Sequence, residues 1–245
     1  MKFIKKHIKF IVFLVICVSL FLIYQKSETD KIVYVSIGDG FAYGVNSFGD
    51  TTYGYDDYLI DDLRSKKQLK SYYNSFSYSD MMIKDLYKDI LLNVHDKDNN
   101  NIKQVMREAN LLTISVGIND LIYEIGSSHS RNKHDTKVLL TKIVDNYDKM
   151  INEIKKYYQK DIYVIGYYNF YPQKTVEKKF LDLYNASIKE YCDKNNLIYV
   201  DNCNLEKNIG NYLDNPNSFY PNNEGYQRIY NNIKVNLAKK TWKNF

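Results

Sequence analysis

The chain has 245 residues, 44% hydrophobic and 26% charged, an ordinary globular balance with room for one α/β domain and a substantial core. Its net charge of +5 does not describe a polyanion-binding face. Lys2, Lys5, Lys6, Lys9 and Lys26 supply all of it within residues 1–26, which hold no acid, so nucleic acid is not an expected partner.

The lysines of the N-terminus are followed by an unbroken apolar run over residues 10–24. It is slightly short of the ~17–25 residues of a usual span, and Ile8 with a snorkelling Lys9 extends it. The run ends Leu20-Phe21-Leu22-Ile23-Tyr24, without the small residues of a cleavage site, and Ile16 before Cys17 is too bulky for a lipoprotein signal. Residues 1–26 are therefore expected to be an uncleaved single-pass transmembrane anchor, with cleaved or lipidated forms as the alternatives. The flanking lysines place the N-terminus in the cytoplasm and the domain, residues 27–245, outside the cell membrane.

Beyond a polar linker, residues 31–37 read as a β-branched strand that leaves through Gly38-Asp39-Gly40. Helices are expected over 56–66 and 79–92, with a short strand at 69–73 between them. Residues 96–101 form a loop by composition, 111–116 a buried strand ending in Gly117, and 127–134 a polar loop. Residues 135–158 place Leu139, Ile143, Met150 and Ile154 on one helical face. A strand at 161–166, a helix at 176–195, a strand at 197–201 and a final helix carrying Tyr226, Ile229, Tyr230, Ile233 and Leu237 complete the alternation. Strands apolar on both faces, alternating with helices, imply a parallel sheet covered on both sides. Functional groups are then expected where the strand-end loops converge.

Cysteine usage points to no zinc spacing. Cys192 falls on the apolar face of its helix and reads as a core residue. Cys203 follows the next strand, which leaves a disulfide between the two open outside the cell. The 25 tyrosines read as compositional bias rather than as an aromatic platform.

Three motifs carry the chemistry. They are Val35-Ser36-Ile37-Gly38-Asp39-Gly40-Phe41-Ala42-Tyr43-Gly44, then Thr113-Ile114-Ser115-Val116-Gly117-Ile118-Asn119-Asp120, then Asn217-Ser218-Phe219-Tyr220-Pro221-Asn222-Asn223-Glu224-Gly225-Tyr226. In order and context they resemble the SGNH (GDSL-type) hydrolases, a family of lipases, acylhydrolases and carbohydrate acetylesterases, over residues 31–240. The resemblance implies a three-layer α/β/α, flavodoxin-like sheet with no cofactor and no metal. It also implies a serine nucleophile at position 40, a histidine base at 220, an orienting aspartate at 217, and oxyanion donors from position 40, Asn119 and a glycine between the first two motifs.

The triad is substituted throughout: Gly40, Tyr220 and Asn217 occupy its positions, and the Asn74-Ser75-Phe76-Ser77-Tyr78-Ser79 stretch has no glycine. Gly38, Asp39, Gly44, Gly117, Asn119, Asp120, Pro221, Asn222, Gly225 and Tyr226 survive as scaffold. Acyl transfer needs a nucleophile, a base and oxyanion donors acting as a unit. Glycine cannot attack, and a phenol with a pKa near ~10 is a poor base at neutral pH. Ser36 and Ser115 read as strand residues with satisfied hydroxyls, and Asp39 as an organiser of its loop. Two roles stand for Asn119, with Gly117 and Asp39 beside it: a remnant ligand donor, or a tie between strand-end loops.

The leading expectation is a non-catalytic module at the cell envelope, binding a glycan, an acylated ligand or an envelope protein. The alternative is an active esterase or acetylesterase with a relocated serine and with His129 or His134 as base. A third is a purely structural role, its cleft filled by Phe41, Tyr43, Tyr78 and Tyr220.

Overall fold

The computed structural model of the chain describes residues 12–21, 31–127, 133–171 and 175–241. Five strands form one parallel sheet: β1 (Ile32–Gly38), β2 (Leu69–Tyr73), β3 (Leu111–Ser115), β4 (Ile162–Ile165) and β5 (Ile198–Val200). Their order is β2-β1-β3-β4-β5. The inner strands β1, β3 and β4 are buried almost throughout, as their Val, Ile and Leu runs require. At the edges β2 alternates between half-buried and exposed residues, and β5 is only 3 residues long, so neither edge offers a long free ladder.

Among the described residues, eight helices surround the sheet: α1 (Gly40–Tyr43), α2 (Tyr55–Ser65), α3 (Ile83–Leu92), α4 (Ile102–Glu108), α5 (Ile118–Ser127), α6 (Lys133–Ile154), α7 (Val176–Lys194) and α8 (Asn223–Thr241). A 3-10 segment spans Cys203–Asn211. Helix α2 packs on α8, while α3, α6 and α7 pack in succession, which gives the three α/β/α layers. The chain moves from β1 out to β2 and then returns past β1 to β3. Strand order therefore reverses between β1 and β3, where α/β sheets open a crevice at their carboxyl ends.

Tyrosine forms much of the core. Tyr34, Tyr55, Tyr147, Tyr158, Tyr167, Tyr168, Tyr184 and Tyr226 are among the largest fully buried side chains. A buried phenol has to place its hydroxyl as well as its ring. Tyr34 meets Thr113 Oγ1 at 2.8 Å, Tyr158 donates to the Asp161 carbonyl and Tyr184 to that of Val116, whereas the Tyr147 hydroxyl has no hydrogen-bond partner among the described residues.

Several expectations need correction. Helix α3 begins at Ile83 rather than 79, because residues 79–82 are drawn across the strand ends by tertiary hydrogen bonds. Residues Ile118 to Asp120 form the first turn of α5 rather than a loop, and Lys133 already belongs to α6. Helix α4 was not expected; its 7 residues are too few to show periodicity, though Asn101 caps it through Gln104 N–H and Ile102, Val105 and Met106 share its buried face. Cys192 is buried as expected, but it and Cys203 are both free thiols.

Residues 12–21 form an exposed apolar helix, while the rest of the expected anchor, residues 1–11 and 22–26, lies outside the described residues. Among the described residues no helix is long and apolar enough to cross a membrane.

Candidate functional site

The crevice between β1 and β3 is assembled from backbone that only glycine can supply. Gly38 ends β1 at φ 143°, and a Cβ there would overlap the Ser115 carbonyl of β3. This close approach lets Asp39 N–H donate to that same carbonyl at 2.6 Å. Asp39 then caps α1, accepting from Phe41 N–H at 3.1 Å and from Ser115 Oγ at 2.9 Å on one oxygen and from the Tyr167 hydroxyl on the other. Complete burial pushes its carboxyl up to about 7, against the opposing pull of these three donors. Asp39 therefore organises the loop, and Ser115 is a strand residue with a satisfied hydroxyl, both as expected. Ser36 is likewise satisfied, at 3.2 Å from the Tyr55 hydroxyl.

Position 40, where the resemblance implies a serine, is glycine. A Cβ on Gly40 would fall on the ring and hydroxyl of Tyr220, so the phenol occupies the volume of the absent side chain. Gly40 N–H donates to the Ser79 carbonyl at 3.2 Å. Tyr220 Oη donates to the same oxygen at 2.8 Å, and Asn119 Nδ2 donates to it at 3.0 Å and to the Met81 carbonyl at 3.0 Å. Three donors thus converge on one main-chain carbonyl. Burial pushes the Tyr220 phenol upward, which keeps it a donor.

The segment that delivers this carbonyl is fastened along its length. Asn74 Nδ2 donates to Asp56 Oδ2 at 3.0 Å, Ser77 Oγ to the Ser36 carbonyl at 3.3 Å, and Tyr78 N–H to the Gly38 carbonyl at 3.2 Å. Asp120 fastens the other end by accepting from Ile83 N–H at 2.9 Å, and its carboxyl is pushed up to about 6 by burial. Gly117, at φ 121°, leaves room for the Tyr184 hydroxyl, which a Cβ would overlap.

The third motif contributes structure. Asn222 Oδ1 accepts from Gly225 N–H at 3.1 Å at the start of α8, and a Cβ on Gly225 would come within 2.6 Å of Pro221 Cβ. Tyr226 donates to the Val45 carbonyl at 2.6 Å, binding α8 to the loop after α1. Asn217, at the acid position, is exposed. Only its main chain is engaged, donating to Asn215 Oδ1 at 3.0 Å, and its side chain makes no hydrogen bond to Tyr220.

An aromatic wall backs the cluster. Phe41 lies 5.1 Å from Tyr167 and 5.5 Å from Tyr220 between ring centroids, and Phe219 stands 4.3 Å from Tyr220. Phe41 and Tyr220 fill the cleft as the structural reading expected, but Tyr43 and Tyr78 are exposed and take no part in the wall. Tyr167 was missed, although it follows Gly166 at the end of β4, which is a signal of the same kind as the other strand-end glycines. The Ser79 and Met81 carbonyls leave no signal in a side-chain pattern.

Cavities of 890 and 610 Å³ are present, and neither is lined by Gly40, Asn119 or Tyr220. Among the described residues no serine hydroxyl is bonded to a histidine, and no group of three or more His, Cys, Asp or Glu is placed to hold a metal. His129 and the side chain of His134 lie outside the described residues.

The fold aligns with solved esterase structures. The lipase Lip_vut3 from a goat rumen metagenome superposes with a TM-score of 0.68 at 17% identity, covering 84% of this chain and 97% of that one. Axe2, an acetylxylan esterase from Geobacillus stearothermophilus, gives 0.62 at 17% identity, covering 84% and 94%. No curated protein matches. The sequence itself matches the GDSL-like Lipase/Acylhydrolase family over residues 36–228, a stretch that runs from β1 into α8 and contains all three motifs. The chain therefore belongs to the GDSL-like lipase/acylhydrolase family.

Proposed function

We propose that this is a non-hydrolytic member of its family, a membrane-anchored extracytoplasmic domain that works by binding or docking at the cell envelope. The observation that carries the proposal is the occupancy of the reaction centre by the chain itself. Donors that would serve a developing oxyanion are spent on the Ser79 carbonyl, and the Tyr220 ring fills the nucleophile's volume. Loss of a serine or histidine from such a unit lowers turnover by roughly a millionfold, and here both positions are substituted.

The anchor is supported by the lysine-flanked apolar run and by the exposed apolar helix over residues 12–21. The chain enters the sheet at Ile32, the opposite end of β1 from Gly38.

The test is hydrolysis of 4-nitrophenyl acetate by the full chain in detergent, beside His129→Ala and His134→Ala variants. We expect no rate above buffer from any of them. Turnover by the parent chain that disappears in either variant would overturn the proposal in favour of a rebuilt esterase.

A further inference from the structure

The 610 Å³ cavity lies beside the plugged cluster, at the same carboxyl edge of the sheet, between the loop after α1 and the segment that leads into α8. Its two walls are held at a fixed separation. Ser47 Oγ donates to the Tyr220 carbonyl at 2.6 Å, Asn215 Nδ2 to the Ser47 carbonyl at 3.2 Å, and Thr52 Oγ1 to Asn223 Oδ1 at 3.1 Å. Ser47, which makes two of these ties, is buried. The cavity is therefore preorganised before any ligand arrives.

Its lining has a particular chemistry. Asn222 Nδ2 spends itself on Asp214 Oδ1 at 2.7 Å, which leaves Asp214 Oδ2 unused, and the Glu224 carboxylate has no hydrogen bond or ion pair among the described residues. With its Oδ1 held by Thr52, Asn223 keeps both amide hydrogens for a ligand. Phe48, 68% exposed, lines the cavity, and its backbone is fixed because Asn46 Oδ1 accepts from Phe48 N–H at 2.9 Å. No lysine or arginine lines the cavity, so phosphates, fatty acids and other anions are disfavoured. Amide donors, carboxylate acceptors and one bare aromatic face together match an amphipathic, uncharged molecule with hydroxyls around its edge and C–H groups on its face.

We propose that this cavity binds a neutral oligosaccharide, one ring stacking on Phe48 while its hydroxyls bond to Asn223, Asp214 and Glu224. The inference goes beyond the non-hydrolytic reading and is independent of it, because none of these four residues belongs to the Gly40, Asn119 and Tyr220 cluster. Hydrolysis of 4-nitrophenyl acetate would overturn that reading and leave this one standing.

The test uses the full chain in detergent micelles, titrated with maltohexaose and with tetra-N-acetylchitotetraose by calorimetry and saturation-transfer NMR. At least one should bind with a Kd below ~5 mM. Phe48→Ala and Glu224→Ala should each weaken that binding by about tenfold or more, and Tyr43→Ala, an exposed aromatic outside the cavity, should leave it within about twofold. Neither Phe48 nor Glu224 makes a side-chain hydrogen bond, so both variants should melt with the parent, and an unshifted melt makes a loss of binding attributable to the cavity. Failure of both oligosaccharides to bind overturns the proposal. So does binding that survives both alanine variants, or calcium binding at Asp214 and Glu224 without any saccharide binding.

Discussion

Along one sheet edge, two sets of motif positions that lie within a few residues of each other have met different fates. Gly38, Gly44, Gly117, Gly225, Asp39, Asp120, Asn222 and Tyr226 match the motifs of the family resemblance, and each makes a backbone or packing contact. Gly38 faces the Ser115 carbonyl, Gly44 closes α1 at φ 74° with the Thr52 carbonyl 2.7 Å from where its Cβ would be, and Tyr226 ties α8 to Val45. Positions 40, 220 and 217, where the family resemblance implies chemical tasks, hold Gly, Tyr and Asn. Two of them now interlock, Tyr220 standing in the space Gly40 leaves open. Geometry at this edge is thus set by backbone and packing contacts that do not depend on the residues at 40, 217 and 220.

The strongest way to break this comparison is to attack a retained glycine. Gly38→Ala would force a methyl group into the Ser115 carbonyl from a backbone at φ 143°, and nothing there is a flexible side chain that could yield. We expect a loss above ~4 kcal/mol, read as failure to fold or as a collapsed denaturant midpoint. A variant that melts within a few degrees of the parent would show that Gly38 is kept for another reason.

Next in size is the interlocked pair. Gly40→Ser restores the family nucleophile but collides with Tyr220, and overpacking of this kind costs about 1–3 kcal/mol. Tyr220→Ala alone should also destabilise, by removing a ring packed against Phe41 and Phe219 and a donor to Ser79. The double variant should lose less than the sum of the two singles, with a coupling of roughly 0.5–3 kcal/mol. Strict additivity, measured by a denaturant double-mutant cycle, would mean the two substitutions are unrelated.

Those predictions also mark how far the sequence could be read. The sheet, its parallel sense and the strand-end motifs were legible because they follow from apolar runs and from glycines at fixed places. The plug was not, since its central atom is the main-chain carbonyl of Ser79, and one residue's carbonyl looks like any other in a sequence. The same tertiary bonds delayed α3 to Ile83, where local propensity alone starts the helix earlier. For Asn119, which reads equally as ligand donor or tie, the structure shows bonds to the Ser79 and Met81 carbonyls. Asp56, buried and held by Asn74, had looked like the ordinary first residue of a helix.

The retained acids sharpen the comparison through pH. Burial raises Asp39 and Asp56 to about 7 and Asp120 to about 6, against roughly 3.9 for an unfolded aspartate. Between about pH 4 and 7 the native state therefore holds more protons than the unfolded state. Stability then falls as pH rises through that window and levels off above it. We expect thermal unfolding midpoints to be higher at pH 6 than at pH 8, by the equivalent of about 3 kcal/mol. Asp39→Asn should flatten the slope. A midpoint that climbs from pH 6 to 8 would contradict protonated scaffold acids.

The smallest expected effect belongs to Asn217, and its smallness is informative. An orienting acid would have to reach the base at position 220, yet Asn217 is exposed and its side chain is unbonded to Tyr220. The loop is held instead by Ser218 Oγ, which accepts from Tyr220 N–H at 3.2 Å, and by Ser47 beneath it. Asn217→Asp restores the family residue at a position with nothing to orient, and Asn217→Ala removes a side chain that supports nothing. Both should leave stability within about 0.5 kcal/mol of the parent, the usual range for an exposed site without special contacts. A larger loss in Asn217→Ala than in Asn217→Asp would reveal a surviving acceptor role at this position. Equal and negligible changes would mark Asn217 as a position without a structural task, in contrast to Asn222 five residues later, which carries the start of α8.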